Sequence, residues 1–224
     1  MPSLQQHGKS TLLTDKAVVP MKIGLISDTR VSNVKDTQSR EVNALTQVVK
    51  AFEAENVELI LHAGGINTPD VLDLLEAIAP VKAAGRVQKG HAESPQPSSL
   101  EGGGEDSRVQ QQHILEIEGH RIALINEFWL PWVSDELMPG AIGRQNLAEG
   151  ELPKLVEDYI QAPVDIVVFG RTLHALIEEH QGVMFINPGS PSLPRALMKL
   201  GQVAVLELTE TTRSARLIEL SEYS

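Results

Sequence analysis

The chain contains no cysteine among its 224 residues. Disulfide bonds and thiolate metal sites are therefore excluded, and the absence mildly favours a cytoplasmic location. Aromatic residues are scarce, at 4% of the chain. No apolar run approaches the ~20 residues that a membrane-spanning helix needs, so we expect a soluble protein without a membrane segment.

Positive charge is also in short supply, because 30 acidic residues outweigh 19 lysines and arginines and give a formal net charge of −11. Such a chain repels nucleic acid and anionic membranes at long range, so neither partner is expected. Apolar residues make up 42% of the chain, as in ordinary globular proteins. Its length suits one domain of the larger sort.

Two segments have compositions that do not favour packing. Residues 1–20 end in Pro20 and are predicted to be a weakly ordered N-terminal extension of a single domain at 21–224. Residues 88–112 are rich in Gly, Pro and Ser, with SPQPSSLEGGGEDS at their centre, and are predicted to be a flexible loop.

The remaining sequence alternates strand and helix patterns and then changes to hairpins. Strands are predicted at 21–27, 57–62, 81–84, 114–118, 121–126, 164–169, 175–180, 183–187, 202–208 and 215–220, and helices at 36–55, 69–79 and 152–160. The early βαβ units imply a largely parallel sheet. The whole pattern predicts an α/β fold, a four-layer αββα sandwich of two mixed β-sheets flanked by helices.

The first strand leads to the first candidate site residue. MKIGLISDTR places Asp28 directly after a buried strand, where α/β folds commonly place binding and catalytic residues. Arg30 follows two residues later, at a point where a metal site would instead use a neutral imidazole.

Five blocks carry a family resemblance. MKIGLISDTR, VELILHAGGI, RIALIN, VDIVVFGRTLH and GVMFINPGSPSLPR occur in this order. Together they resemble the calcineurin-like phosphoesterases, a metallophosphoesterase superfamily, and in particular its YfcE/Vps29-like subgroup. The resemblance covers about Met21 to Leu220, and INPGS followed by Pro194-Arg195 is its most specific piece.

The resemblance implies two divalent metal ions, such as manganese, held by carboxylate, imidazole and amide ligands from several strand ends. Asp28 matches one ligand position. The other matching positions carry Arg30 in place of histidine, Gly65 in place of aspartate, Asn126 in place of histidine and Arg171 in place of histidine. We therefore expect no metal cofactor, and Asp28 and Asn126 stay as the catalytic candidates.

The arginines suggest a different use of the same pocket. A guanidinium is always charged and binds phosphate oxygens in a bidentate fork, so Arg30, Arg171, Arg86 and Arg195 are candidates for a metal-free anion site. The alternative is that Arg30 and Arg171 are salt-bridge partners that fill a vacated site, and that Asp28 pairs with them or caps a turn.

Three functions follow from these readings. The favoured one is a degenerate phosphoesterase-fold protein that lacks the dinuclear centre and serves as a binding or scaffold module, with a protein partner or a small anionic ligand. The second is a phosphodiesterase or phosphatase with an arginine-assisted active site. The third is a metal-free sensor of a phosphate-containing or other anionic ligand.

Histidines and aromatics add two weaker expectations. His62, at the end of a buried strand, is expected to be structural, whereas His113 and His120 are expected to face solvent. The segment 126–139 contains Phe128, Trp129 and Trp132, which form either core or, if exposed, a partner or ligand surface.

Overall fold

The structure is a computed structural model that describes residues 18–85, 106–130, 137–192 and 199–224. The described residues form eleven strands, three α-helices and a short 3₁₀-helix, Leu220–Tyr223. The strands are β1 (Met21–Ile26), β2 (Leu59–His62), β3 (Val81–Ala84), β4 (Val109–Gln110), β5 (Gln112–Ile117), β6 (His120–Ile125), β7 (Ile166–Val168), β8 (Leu176–His180), β9 (Val183–Asn187), β10 (Gln202–Leu208) and β11 (Arg213–Glu219). The helices are α1 (Arg40–Glu55), α2 (Asp70–Glu76) and α3 (Glu151–Ile160).

The strands form two mixed sheets. Sheet A has the order β11-β10-β1-β2-β3-β4, and sheet B has the order β5-β6-β7-β9-β8. In sheet A, β1 to β4 are parallel and β10 runs antiparallel to β1. In sheet B, β6, β7 and β9 are parallel, and β5 and β8 complete antiparallel hairpins. The carboxyl ends of the parallel strands form the edge where the predicted site residues lie.

Alternation of side chains along β1 explains the layering. Ile23 and Leu25 point between the sheets and meet Leu124 and Val168 of sheet B. Ile26 points the other way, into a core beneath α1 and α2. A third cluster packs α3 against the outer face of sheet B. The order of layers is therefore helix, sheet A, sheet B, helix, which confirms the predicted αββα sandwich.

Helix α1 begins and ends where its local chemistry requires. The Ser39 side chain accepts a hydrogen bond from the Val42 N–H at 3.4 Å, and Asn56 ends the helix in the left-handed conformation. The helix buries Leu45, Val48 and Phe52 against sheet A. This packing fixes the outer face of β1 and β2, whose ends carry Asp28 and His62.

Several expectations about segments need adjustment. Residues 106–112, the end of the predicted flexible loop, contain β4, which pairs in parallel with β3. The rest of that loop, the N-terminal extension up to residue 17, Arg86 and Arg195 lie outside the described residues, so those predictions stand as they were.

Two histidine predictions were wrong. His113 is only 5% exposed, and its Nε2 lies 2.9 Å from the Ala83 carbonyl, because β5 crosses next to β3 at the sheet edge. His120 is half-buried, and its Nδ1 lies 2.9 Å from Asp165 Oδ2. The His113 ring thus links β5 of sheet B to β3 of sheet A, and the His120 ring links β6 to the residue before β7.

Among the described residues, no helix combines the length and the apolar character that crossing a membrane requires.

Candidate functional site at the carboxyl ends of the strands

The fold brings together the ends of β1, β2, β6 and β7, which come from both sheets. Gly170, directly after β7, carries no side chain, and a Cβ there would lie 2.4 Å from the Ala63 carbonyl oxygen after β2. The Gly170 N–H also donates to the Asn126 carbonyl after β6, at 3.1 Å. These contacts place Asp28, Asn126 and Arg171 at one site, with Gly64 and Gly65 between them.

Asp28 lies at the centre of the site, and both of its carboxylate oxygens have protein donors. Arg30 Nη2 donates to Oδ1 at 3.3 Å, and the Arg171 backbone N–H donates to Oδ2 at 3.0 Å. Asp28 is 3% exposed, and this burial raises the pKa of its carboxyl, an effect that the charge of Arg30 and the Arg171 N–H partly offset. The carboxylate is thus held by a cation and an amide.

The two glycines after β2 are closely covered by the candidate residues. A Cβ at Gly64 would lie 2.0 Å from Asn126 Oδ1, and a Cβ at Gly65 would lie 2.7 Å from the Cα and Oδ1 of Asp28. Gly65 also has φ of +76°, which side-chain-bearing residues rarely adopt. Asn126 and Asp28 therefore occupy the space that side chains at positions 64 and 65 would need. A carboxylate at position 65 would not fit without a shift of Asp28.

The backbone near the site is unusual on both sides. Asp28 and Arg30 have φ of +52°, Arg171 has φ of +73° and Leu173 has φ of +61°. Positive φ is uncommon at residues other than glycine. Such residues occur most often at functional sites, where the surrounding structure holds the backbone in this conformation. The two arginines therefore take their positions from constrained loops after β1 and β7.

Arg171 has an acidic partner that sequence reasoning missed. Its Nε lies 3.1 Å from Glu127 Oε1, and both side chains are 59% exposed. Exposed ion pairs of this kind contribute about 0–1 kcal/mol, so this pair can open at low cost. Glu127 follows Asn126 directly, and this position next to a candidate site residue was the signal available in the sequence.

His62 has a structural role, as the sequence indicated. Its Nδ1 accepts from the Gly64 N–H at 3.2 Å, and its Nε2 lies 3.2 Å from Thr29 Oγ1. The ring is fully buried, and this burial lowers its pKa to about 3. A neutral imidazole therefore ties the loop after β1 to the turn after β2 and holds Asp28 beside Gly65.

The INPGS block, residues 186–190, forms hydrogen bonds with the loops that carry the site residues. The Ser27 hydroxyl donates to the Gly189 carbonyl at 2.6 Å, and the Ser190 hydroxyl lies 3.2 Å from the Asp28 carbonyl. Asn187 is fully buried and donates to Thr172 Oγ1 at 2.9 Å. This block supports the loops that carry Asp28 and Arg171.

Two aromatic side chains near the end of β6 are partly exposed. Trp129 is 50% exposed and Tyr159 is 39% exposed. Phe128 packs edge-on against Tyr159, with 5.2 Å between ring centroids, and is buried against Phe169 and Phe185. The Tyr159 hydroxyl donates to the Glu127 carbonyl at 3.2 Å. The segment is thus core at Phe128 and surface at Trp129, while Trp132 lies outside the described residues.

Among the residues that the structure describes, the donors around Asp28 do not make up the ligand set of a dinuclear metal centre. Asp28 is engaged by Arg30, and Asn126 offers only a neutral amide. His174, which is exposed and precedes β8, lies off the matching position. In the part of the chain that the structure describes, no group of three or more His, Asp or Glu side chains is arranged to hold a metal ion.

The sequence-predicted site residues therefore divide into two groups. Asp28, Arg30, Asn126 and Arg171 are brought together, with Arg30 and Arg171 each beside a carboxylate. Arg86 and Arg195 lie outside the described residues. Their part in an anion site remains a prediction.

Comparison with known families agrees with this architecture. A family model described as "Calcineurin-like phosphoesterase superfamily domain" matches residues 21–211. The chain belongs to this superfamily, which confirms the resemblance drawn from the five sequence blocks.

Related sequences carry matching names. A protein of Methanothermobacter thermautotrophicus named "Probable metallophosphoesterase" is 31% identical over 175 residues, which cover 78% of this chain and 80% of the relative. A second, "Probable metallophosphoesterase MJ0623" of Methanocaldococcus jannaschii, is 25% identical over 205 residues, with 90% and 83% covered.

Solved structures show the same fold. An archaeal phosphodiesterase superposes with a TM-score of 0.53 at 17% identity, covering 88% of this chain and 100% of its own. Vps29 from Cryptosporidium parvum gives a TM-score of 0.53 at 15% identity, with 90% and 98% covered. A predicted phosphoesterase from Streptococcus pneumoniae gives 0.52 at 14% identity, with 92% of each chain covered.

Proposed function

We propose that this chain is a phosphoesterase-fold protein that works as a binding module without a dinuclear metal centre. The observation that carries the proposal is the engagement of Asp28, whose two oxygens accept from Arg30 and from the Arg171 N–H. The guanidinium of Arg30 supplies the positive charge that a carboxylate in this position would otherwise take from a metal ion.

Electrostatics and packing support the same proposal. At an effective dielectric of 20, two like unit charges 4 Å apart repel by about 4 kcal/mol before solvent screening. The repulsion between a divalent ion and the Arg30 guanidinium at that distance would be twice as large. Gly65 offers no bridging carboxylate, and the close approach of Asp28 leaves little room for one.

A small phosphate-containing ligand is the second candidate, and one observation favours it. The Arg171 side chain is 59% exposed and its partner Glu127 is equally exposed, so the guanidinium can exchange that carboxylate for a phosphate. An arginine-assisted phosphoesterase would use the same contact for chemistry, with Asp28 and Asn126 positioning the substrate. Activity separates these two readings.

The test combines metal content with turnover. Purified protein, incubated with manganese and then dialysed, should retain far less than one equivalent of manganese, iron, nickel or zinc. It should hydrolyse a chromogenic phosphodiester no faster than background, with or without manganese.

Controls make the test decisive. One equivalent of metal that is lost in Asp28→Asn would overturn the proposal. Metal-independent turnover that disappears in Arg30→Ala and Arg171→Ala, but persists in the distant variant Arg216→Ala, would establish the arginine-assisted enzyme instead. Arg216 is a fair control because it too is half-exposed and paired with a carboxylate, that of Glu55.

A further inference from the structure

Sheet A ends in a long strand that lacks the features by which proteins commonly protect a sheet edge. β11 lies at one end of the strand order and has seven residues, all of which pair in register with β10. It contains no proline, no glycine and no bulge. Among the described residues, no strand pairs with its outer side. An edge of this kind is a ready template for another strand.

The hydrogen-bond pattern shows which backbone groups of β11 face outward. The Leu220 N–H donates to the Gly201 carbonyl at 3.0 Å, and the Thr209 N–H donates to the Thr212 carbonyl at 2.9 Å. Hydrogen-bonded residues alternate along an antiparallel pair, so the even-numbered residues of β11 bond to β10. The backbone N–H and C=O groups that point away from the sheet are those of Arg213, Ala215, Leu217 and Glu219.

These four residues also place their side chains on one face, the face of sheet A that is turned toward sheet B. Ala215 packs in the core between the sheets. Arg213 pairs with Asp165, before β7, and with Glu179 of β8. Leu217 lies on this same face, and yet it is 37% exposed. The core between the sheets therefore ends at β11 in a partly exposed leucine.

We infer that β11 pairs antiparallel with β11 of a second copy of this chain, so that the two six-stranded sheets join into one. The two-fold axis of this dimer passes at Arg216. Arg213 then lies opposite Glu219 of the second copy, and Ala215 lies opposite Leu217 of the second copy. Each of these pairs consists of outward-facing residues, so each can exchange backbone hydrogen bonds.

The outward-facing residues of β11 are complementary to themselves when the strand is reversed. Along the strand they are positive at Arg213, apolar at Ala215 and Leu217, and negative at Glu219. A reversed copy presents the opposite order, so opposite charges meet at both ends and each leucine meets an alanine in the middle. A shift of the register by two residues loses one hydrogen-bonded pair and leaves neither charge opposite its counterpart. Charge and backbone pairing therefore select the same register.

Two sources of repulsion act against this pairing, and both are offset. On the other face of the sheet, Arg216 lies opposite Arg216 of the second copy, and like charges in opposite positions are destabilising. Glu55 of α1 pairs with Arg216 in each copy, so the axis carries two ion pairs. The formal net charge of −11 on each chain repels the second chain at long range. In 0.15 M salt the Debye length is about 8 Å, which screens most of this long-range term.

The dimer has a defined arrangement of its two candidate sites. β11 runs parallel to β1, because both strands are antiparallel to β10. Antiparallel pairing of the two β11 strands therefore reverses β1 of the second copy relative to the first. The two sites around Asp28 lie at opposite ends of the joined sheet. The inference concerns the β11 surface alone and does not depend on the proposed function.

Sedimentation equilibrium of the full chain at several concentrations in 0.15 M salt tests the inference. The mass should rise with concentration toward twice the chain mass of 24.4 kDa. Leu217→Pro removes an outward N–H and leaves the bonds to β10 in place, as edge strands allow. The dimer loses one donated hydrogen bond from each copy, so its dissociation constant should rise about tenfold or more.

Ile114→Pro is the matched control. Ile114 is 36% exposed and lies in β5, an edge strand of sheet B. Ile117 and His120 close the two-residue turn of the β5–β6 hairpin, so alternation turns the Ile114 N–H outward as well. This variant should leave the dissociation constant unchanged. Circular dichroism checks that both proline variants are folded.

Introduced cysteines test the register directly, because the chain contains none of its own. Arg216→Cys places a thiol on the two-fold axis, in a pair whose Cα atoms lie about 4.5 Å apart, which a disulfide can span. Ser214→Cys is the control, since Ser214 is exposed on the same face of β11. Its counterpart lies four residues along the paired strand, about 13 Å away. Oxidation should link dimers of the first variant and not of the second.

Each other outcome counts against the inference. A chain that stays monomeric at every concentration would overturn it, whether the edge is open or residues 1–17 of the same chain cover it. A dimer that Leu217→Pro leaves unchanged would use a different surface. Equal cross-linking of the two cysteine variants would refute the register. The metal analysis that tests the proposed function is a separate measurement, so either conclusion can fail without the other.

Discussion

Gly170 is the point at which the carboxyl end of β7 comes closest to that of β2, and its substitution tests how the site is assembled. In Gly170→Ala the added Cβ would lie 2.4 Å from the Ala63 carbonyl oxygen and 2.9 Å from Ser27 Cβ. An ordinary carbon-to-oxygen approach is about 3.3–3.6 Å, so the strand ends must separate by about 1 Å.

The cost can be worked from the same contacts. Both strand ends are held by backbone hydrogen bonds, from Ala63 N–H to Ile26 at 2.7 Å and from Gly170 N–H to Asn126 at 3.1 Å. Overpacking costs typically 1–3 kcal/mol, and backbone that cannot move aside puts this variant at about 2–3 kcal/mol. For a chain of this size that corresponds to a fall in Tm of about 4–12 °C.

Thermal and urea unfolding followed by circular dichroism measure this change. Gly143→Ala is the matched control, because its added Cβ would meet the movable ring of His180, at 3.1 Å, and no backbone atom. We expect less than about 1 kcal/mol there. If Gly170→Ala unfolds at the same temperature as the parent protein, the close approach of the two sheets does not constrain the site as argued.

Two further predictions concern residues around Asp28. Gly65→Asp restores the carboxylate that the family resemblance implies. It should lower the free energy of unfolding and add no metal binding, because its Cβ would lie 2.7 Å from Asp28. A more stable, metal-binding variant would contradict this. Burial lowers the pKa of His62 to about 3 from an ordinary 6.5, so its contribution to stability is complete above pH 6.5 and is lost as the pH falls toward 3. His62→Gln should therefore flatten the pH dependence of unfolding by up to about 1.4 kcal/mol per pH unit between pH 6 and 4, and parallel curves for the two proteins would refute the buried neutral imidazole.

Much of the fold could be read from the sequence because its signals are local. The apolar pattern of 183–187 and the Gln181-Gly182 turn identify a hairpin that the structure contains as β8 and β9. Boundaries were less accurate: helix α1 begins at Arg40, after the Ser39 cap, where the pattern suggested Asp36. His113 was misjudged because its burial depends on β3, which lies far from it in sequence.

The candidate site was only partly predictable. The order of the strand ends placed Asp28, Arg30, Asn126 and Arg171 together, because parallel strands deliver their carboxyl ends to one edge. The position of Glu127 next to Asn126 was the one sequence signal for its pairing with Arg171, and it did not name the partner. No sequence pattern indicated that Trp129 would be exposed while its neighbour Phe128 is buried. These outcomes depend on side-chain packing against α3 and β9.

The sequence by itself determined the alternation of strands and helices, the family and the residue types at the strand ends, since each follows from local periodicity or from short blocks. Only the tertiary structure decided what those residues do to one another. Arg171 reaches Asp28 across 143 positions of the chain, and the contact exists because Gly170 lets the two sheets meet. The positive charge beside Asp28 comes from its near neighbour Arg30, whereas the second hydrogen bond to its carboxylate comes from the amide of a distant loop, which no local pattern encodes.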